Sequence, residues 1–124
     1  MYKKTTDPKT KYIYLDPLEG PHQYTMIFLH GLGDSAEGFE DVFNKKNRPP
    51  CPKNCRIVLP TAPHAPVTCN GGAYCTSWFD IFTLSDKVIP DIKTIRSGIS
   101  QPDTLASVGV LNALIQEEAK TLPD

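Results

Sequence analysis

Residues 24–34 read Tyr-Thr-Met-Ile-Phe-Leu-His-Gly-Leu-Gly-Asp, and this stretch decides the fold class. Thr25 to Leu29 runs with little alternation of polarity, the pattern of a strand buried on both faces of a mostly parallel sheet. His30-Gly31-Leu32-Gly33 then turns the chain. Glycines on both sides of Leu32 open backbone angles closed to other residues, so Gly31 and Gly33 are the expected turn formers. Amide groups between them are free to face outward at the strand's carboxyl end, where α/β sheets bind ligands.

Working outward, Asp34 with Glu37 three residues later predicts a capped helix start, and Ser35 reads as part of the same helix-start chemistry. Phe39, Val42 and Phe43 share one face of that helix. Arg56-Ile-Val-Leu-Pro60 is a short buried strand, parallel to the first because a helix lies between them. Upstream, Lys11 to Leu18 is rich in strand formers and predicts an outer strand, ended by Pro17 and Gly20-Pro21. Residues 1–11 are polar and read as a loose arm preceding one domain over 12–124.

Residues 61–91 hold prolines, a Gly71-Gly72 pair and little periodicity, which predicts a long irregular excursion across the carboxyl edge of the sheet. Trp78 and Phe79 inside it are costly to leave in a solvated loop, so they wall a groove or pack the loop. His64 and Asp80 read as hydrogen-bonding groups that fix the loop. Ser100 caps a final helix with Asp103 at its third position, and the helix runs to about Lys120. Leu105, Val108, Asn112, Ile115 and Ala119 form one stripe beside Leu111 and Leu114, which predicts docking on the sheet.

The 124 residues are 40% apolar with a formal net charge of −1, the balance of a single soluble domain. No charge excess points to nucleic acid or to an anionic membrane surface. No apolar run resembles a secretory leader or a membrane span, so an intracellular setting is expected, the cytoplasm first and an organelle as the alternative. Four cysteines stand as Cys51-x3-Cys55 and Cys69-x5-Cys75, which is not zinc-ribbon spacing, and no metal or other cofactor is expected. Free thiols in a reducing compartment are the plain reading; a disulfide between the two short loops is the alternative in an oxidising one.

Three motifs in register carry a resemblance. His30-Gly-Leu-Gly-Asp34, Leu59-Pro-Thr-Ala-Pro-His-Ala-Pro66 and Ser77-Trp-Phe-Asp80 occur in the order and spacing of the acyl-protein thioesterase and carboxylesterase family of α/β-hydrolases, over residues 24–122. The resemblance implies a three-layer α/β-hydrolase fold acting on acyl thioesters or carboxylic esters. It gives Leu32 N–H as one half of an oxyanion hole and the Trp78-Phe79 segment as lining of the acyl groove.

The family's nucleophile sits in a G-x-S-x-G turn after the helix that here ends near Lys120, with Asp and His following. No such turn occurs in these residues; Gly33-Asp-Ser35-Ala-Glu-Gly38 is a near miss with the wrong spacing. The expectation is therefore a partial hydrolase lacking the nucleophile strand and everything after it, with no catalytic triad member. The strand ending in HGLG is left with an open edge, offering Met26 and Phe28 to a foreign strand, and a protein chain is expected to cover it. That chain is the carboxyl-terminal half of the enzyme in one reading. In the other it is an assembly neighbour of a non-catalytic, hydrolase-derived subunit. An acyl substrate is expected only of the completed enzyme.

Overall fold

A computed structural model describes residues 2–44, 51–84 and 97–124; the end of the expected 61–91 excursion lies outside these described residues. The chain divides into two compact units, Met1–Thr61 with Gln116–Asp124, and Ala62–Ile115.

The first unit is a four-stranded sheet with a helix on it. In chain order it comprises β1 (Tyr2–Thr6), β2 (Ile13–Pro17), β3 (Tyr24–Ile27), α1 (Ala36–Phe43) and β4 (Cys55–Leu59). The strand order is β1-β2-β4-β3. The two outer ladders, β1 with β2 and β2 with β4, are antiparallel, and β3 with β4 is parallel. The sheet is mixed, not mostly parallel, because the chain enters through a hairpin before its first helical crossover.

That hairpin corrects two expectations. Residues 1–11 are no loose arm: β1 is an edge strand, and β2 lies inside the sheet instead of at its margin. The turn between them is built by Asp7, whose Oδ1 accepts the N–H groups of Lys9 at 2.7 Å and Thr10 at 3.0 Å. An aspartate catching amides two and three residues on is a turn builder. Tyr2 anchors the far end, 8% exposed, with its N–H donating to Asn44 Oδ1 at 3.1 Å just past α1.

Strand alternation decides the core. Ile13, Leu15, Ile57 and Leu59 are at most 1% exposed and face α1, together with Phe43 and Ala36. Each such aliphatic side chain contributes about 1.5–3 kcal/mol by leaving water. Phe28 meets Phe39 and Phe43 with ring centroids 4.8 and 5.2 Å apart. The buried face of α1 is therefore Ala36-Phe39-Phe43; Val42, expected on it, is exposed.

On the opposite face Arg56 is the central feature. Its Nη1 lies 2.7 Å from Asp16 Oδ1, its Nε 2.9 Å from Glu118 Oε2, and its guanidinium 4.8 Å from the centre of the Tyr14 ring. The Nε contact is ionic without hydrogen-bond alignment, so both atoms lack a hydrogen-bond partner among the described residues.

The second unit starts with a hairpin, β5 (His64–Val67) paired antiparallel with β6 (Ala73–Thr76). Regular structure thus occupies part of the stretch expected to be irregular. A 3₁₀ turn over Thr68–Asn70 and two left-handed glycines, Gly71 at φ 66° and Gly72 at φ 79°, reverse the chain. Helix α2 (Gln101–Ala119) follows, capped as expected by Ser100 Oγ, which accepts the Asp103 N–H at 3.3 Å.

The apolar stripe of α2 is buried only in part: Leu111 and Leu114 are half-buried, whereas Leu105, Val108 and Ile115 are exposed. Leu105 is 70% exposed and Ile115 52%, and Glu118 is the buried residue of the helix. The helix is fastened through its last turn by charge, Glu118 to Arg56, because Arg56 sits in mid-sheet and needs a carboxylate. No helix among the described residues is long and apolar enough to cross a membrane.

Candidate functional site

The carboxyl ends of β3 and β4 lie side by side, since Tyr24 through Ile27 stand opposite Cys55 through Val58 in parallel register. Phe28 N–H extends the ladder to Val58 carbonyl at 3.0 Å. His30 follows, 4% exposed, with Nδ1 2.6 Å from the Gly31 carbonyl oxygen. The chain then reverses in a turn from Gly31 to Asp34, closed by Asp34 N–H donating to the Gly31 carbonyl at 3.2 Å.

Within that turn the two glycines differ. Gly33 has φ of +78°, the left-handed region that favours glycine, whereas Gly31 has an ordinary φ and open space where a Cβ would stand. Only Gly33 needs the freedom expected of both. Leu32, between them, is 42% exposed, and its N–H has no acceptor among the described residues.

Three side chains hold the turn. Ser35, not Asp34, is the N-cap of α1, extended at φ −153° and accepting the Gly38 N–H at 3.4 Å. Asp34 Oδ1 instead accepts the Ser35 N–H at 2.8 Å. From the loop after β4, Thr61 Oγ1 accepts the Ala36 N–H at 3.0 Å. A threonine from the second motif thus satisfies one of the helix's orphan amides and ties the two loops together. Sequence reading missed Thr61. Its signal is a hydroxyl one residue beyond Leu59-Pro60, at the end of a strand parallel to β3.

Trp78 and Phe79 lie in the second unit, half-buried. Trp78 carbonyl accepts the Ser107 hydroxyl of α2. Asp80 is the organising group there, as expected. Its carboxylate accepts the Thr68 N–H at 2.8 Å and the Thr68 hydroxyl at 2.6 Å, its N–H donates to Asp103 Oδ2 at 3.0 Å, and its carbonyl accepts the Ser100 N–H at 2.9 Å. The Thr68 hydrogen bonds, side chain first, hold the Asp80 carboxyl below the usual carboxylate range. His64 is exposed in β5, and its side chain fixes nothing among the described residues.

Among the described residues no three His, Cys, Asp or Glu side chains converge as a metal site would. What the first unit does present is an amide-bearing turn at the carboxyl end of a strand, braced by a helix start and by a neighbouring loop. An unengaged N–H in that place is a hydrogen-bond donor to an anionic or polarised oxygen.

A parallel β-α-β crossover carrying this turn, beside antiparallel leading strands, makes this an α/β protein with a donor-bearing turn at a strand's carboxyl end, and the solved structures it resembles are α/β-hydrolases. The family described as Phospholipase/Carboxylesterase matches residues 14–121, and the chain belongs to that family. Acyl-protein thioesterase 1 of Yarrowia lipolytica is 34% identical over 102 residues, 82% of this chain and 41% of that protein. Its counterpart in Mycosarcoma maydis is 50% identical over 62 residues, 50% of this chain and 26% of that protein. The crystal structure of Arabidopsis thaliana SOBER1 superposes with a TM-score of 0.62 at 31% identity, over 82% of this chain and 45% of that one. The chain thus spans 26–41% of the length of these curated relatives.

Proposed function

We propose that this chain supplies the oxyanion-loop half of an intracellular serine hydrolase that cleaves acyl thioesters or carboxylic esters. Leu32 N–H is the donor aimed at the developing oxyanion, and Trp78 and Phe79 contribute to acyl binding. The observation that carries the reading is the Gly31–Asp34 turn at the end of β3, which leaves Leu32 N–H without an internal acceptor among the described residues. The names of the relatives, thioesterase and carboxylesterase, support the substrate class. Four free thiols suit a reducing compartment.

The 124 residues hold no G-x-S-x-G turn, so alone they lack the nucleophile and the second donor that would follow it. Purified, the chain is expected to turn over neither a short-chain p-nitrophenyl ester nor a long-chain acyl thioester. Turnover that a fluorophosphonate probe abolishes overturns this reading.

On this reading, a partner or further chain covers the edge of β3 that is unpaired among the described residues. Phe28 and Tyr24 donate toward β4, to Val58 and Asn54 carbonyls, so alternation turns the backbone groups of Thr25 and Ile27 outward, not those of Met26 and Phe28 as expected. A polypeptide bearing the nucleophile strand would pair with Thr25 and Ile27 and bury about 2,000 Å² or more in total. Light scattering of the native species and isotope-edited amide contacts from Thr25 and Ile27 test it. A monomer whose Thr25 and Ile27 amides exchange freely overturns it.

A further inference from the structure

The connection from α1 to β4 ends in Cys51-Pro-Lys-Asn-Cys55, and its last residues fold back on themselves. Cys55 N–H donates to the Pro52 carbonyl at 3.1 Å. That turn brings Cys51 back against the buried cluster to which Cys55 and Tyr2 belong. Tyr2 closes the third side, its phenolic oxygen 3.0 Å from Cys51 Sγ.

The two cysteines are unequal. Cys55 is 2% exposed, its Sγ 3.5 Å from the Arg56 carbonyl oxygen, whereas Cys51 is half-buried. Burial, then the neighbouring Cys51, pushes the Cys55 thiol up to about 11. One reachable sulfur beside one sheltered sulfur is the asymmetry that thiol exchange uses, the first to be attacked from outside and the second to resolve. Cys69 and Cys75 offer no such pairing: Cys69 Sγ faces Asn70 Oδ1 at 3.8 Å, and Cys75 stands opposite Ala65 in the hairpin.

We propose that Cys51 and Cys55 are a modification site, a dithiol that a small-molecule disulfide such as oxidised glutathione converts reversibly into an intramolecular disulfide. The Cys51 thiolate attacks one glutathione sulfur, forming a mixed disulfide and expelling one glutathione thiolate. The Cys55 sulfur then attacks Cys51 Sγ, its proton passing to solvent, and the second glutathione thiolate leaves. Two protein thiols are oxidised while one glutathione disulfide is reduced to two thiols. Closing the ring takes the Cys51 S–H away from Tyr2, so the phenol at the start of β1 reports the state of the pair.

The site is remote from the Leu32 turn. Cys55 stands opposite Tyr24 at the amino end of the parallel strands, and the turn follows their carboxyl end. Its chemistry stands or fails independently of the hydrolase reading.

The reduced 124-residue chain is equilibrated across oxidised-to-reduced glutathione ratios, alkylated and mapped by peptide mass. A Cys51–Cys55 link, seen as the loss of two hydrogens and reversed by dithiothreitol, is expected before any link to Cys69 or Cys75. Cys55→Ser is expected to hold a persistent mixed disulfide at Cys51, and Cys51→Ser to form neither product. Tyrosine difference absorption is expected to change on oxidation of the wild type and not of Tyr2→Phe. Cys51 and Cys55 both recovered as free thiols at the most oxidising ratio, or linked first to Cys69 or Cys75, overturns the proposal. The wild-type peptide map decides even where a variant fails to fold.

Discussion

Thr61 Oγ1 accepts the N–H of Ala36 at 3.0 Å, so the loop leaving β4 holds the first turn of the helix that follows the Leu32 turn. Ala36 is 2% exposed, and its amide has no access to water as a substitute acceptor. Thr61→Val keeps the shape and deletes the acceptor, which is expected to cost about 1–3 kcal/mol. Chemical denaturation measures the loss, and amide exchange at Ala36 is expected to speed up selectively.

Asp34 and Gly38 compete for one space. A Cβ on Gly38 would lie far inside contact distance of Asp34 Oδ1, the atom that holds Ser35 N–H. Gly38→Ala is expected to destabilise the wild type although alanine is the better helix former. In an Asp34→Ala background the same change is expected to stabilise by up to about 1 kcal/mol, the propensity difference. A double-mutant cycle that shows additivity would contradict this.

Arg56 and Glu118 are 19% and 8% exposed at their side chains, so water screens their attraction weakly. Glu118→Leu alone strands the guanidinium with Asp16 and is expected to cost about 3 kcal/mol. Arg56→Leu added to it is expected to recover much of that loss. Urea midpoints of the two variants check the order, and added salt is expected to change it little.

Hydrogen bonds from Thr68 depress the Asp80 carboxyl in the folded chain. The contribution is complete above the unfolded value of about 3.9 and is lost as pH falls through the lower folded value. Acid titration followed at the Thr68 amide is expected to show this loss. Asp80→Asn is expected to remove it, leaving the second unit weaker at neutral pH and flatter on the acid side.

The parallel pair, the turn and both helices were legible because each rests on local signals: an apolar run, a glycine-flanked turn, and capping residues at the helix starts, although the cap of α1 is Ser35 and not Asp34 as expected. The pairing of β1 was not, since Tyr2-Lys-Lys-Thr-Thr6 is polar and earns its place through Asp7 and Asn44. Nor was the β5–β6 hairpin, because His64-Ala-Pro-Val67 carries a proline that argues against a strand. The stripe on α2 misled for the opposite reason. Periodicity reports what a helix is able to bury, whereas the covered face runs beside the stripe's centre, through the half-buried Leu111 and Leu114 to the buried Glu118. Thr61 shows the general difficulty: a capping hydroxyl from another loop has no signature until both loops are placed.

The Asp7 turn also sets an order of assembly. β1 and β2 meet across a few residues, and Asp7 catches the Lys9 and Thr10 amides without help from the rest of the chain. Hairpins close in about 1–10 μs, and neighbours in sequence pay little loop entropy. β3 and β4 must first bring their ends together around the whole of α1 and its connections. The hairpin is therefore expected to form early and to offer Ile13 and Leu15 to Leu59 and Ile57, with the parallel pair expected last.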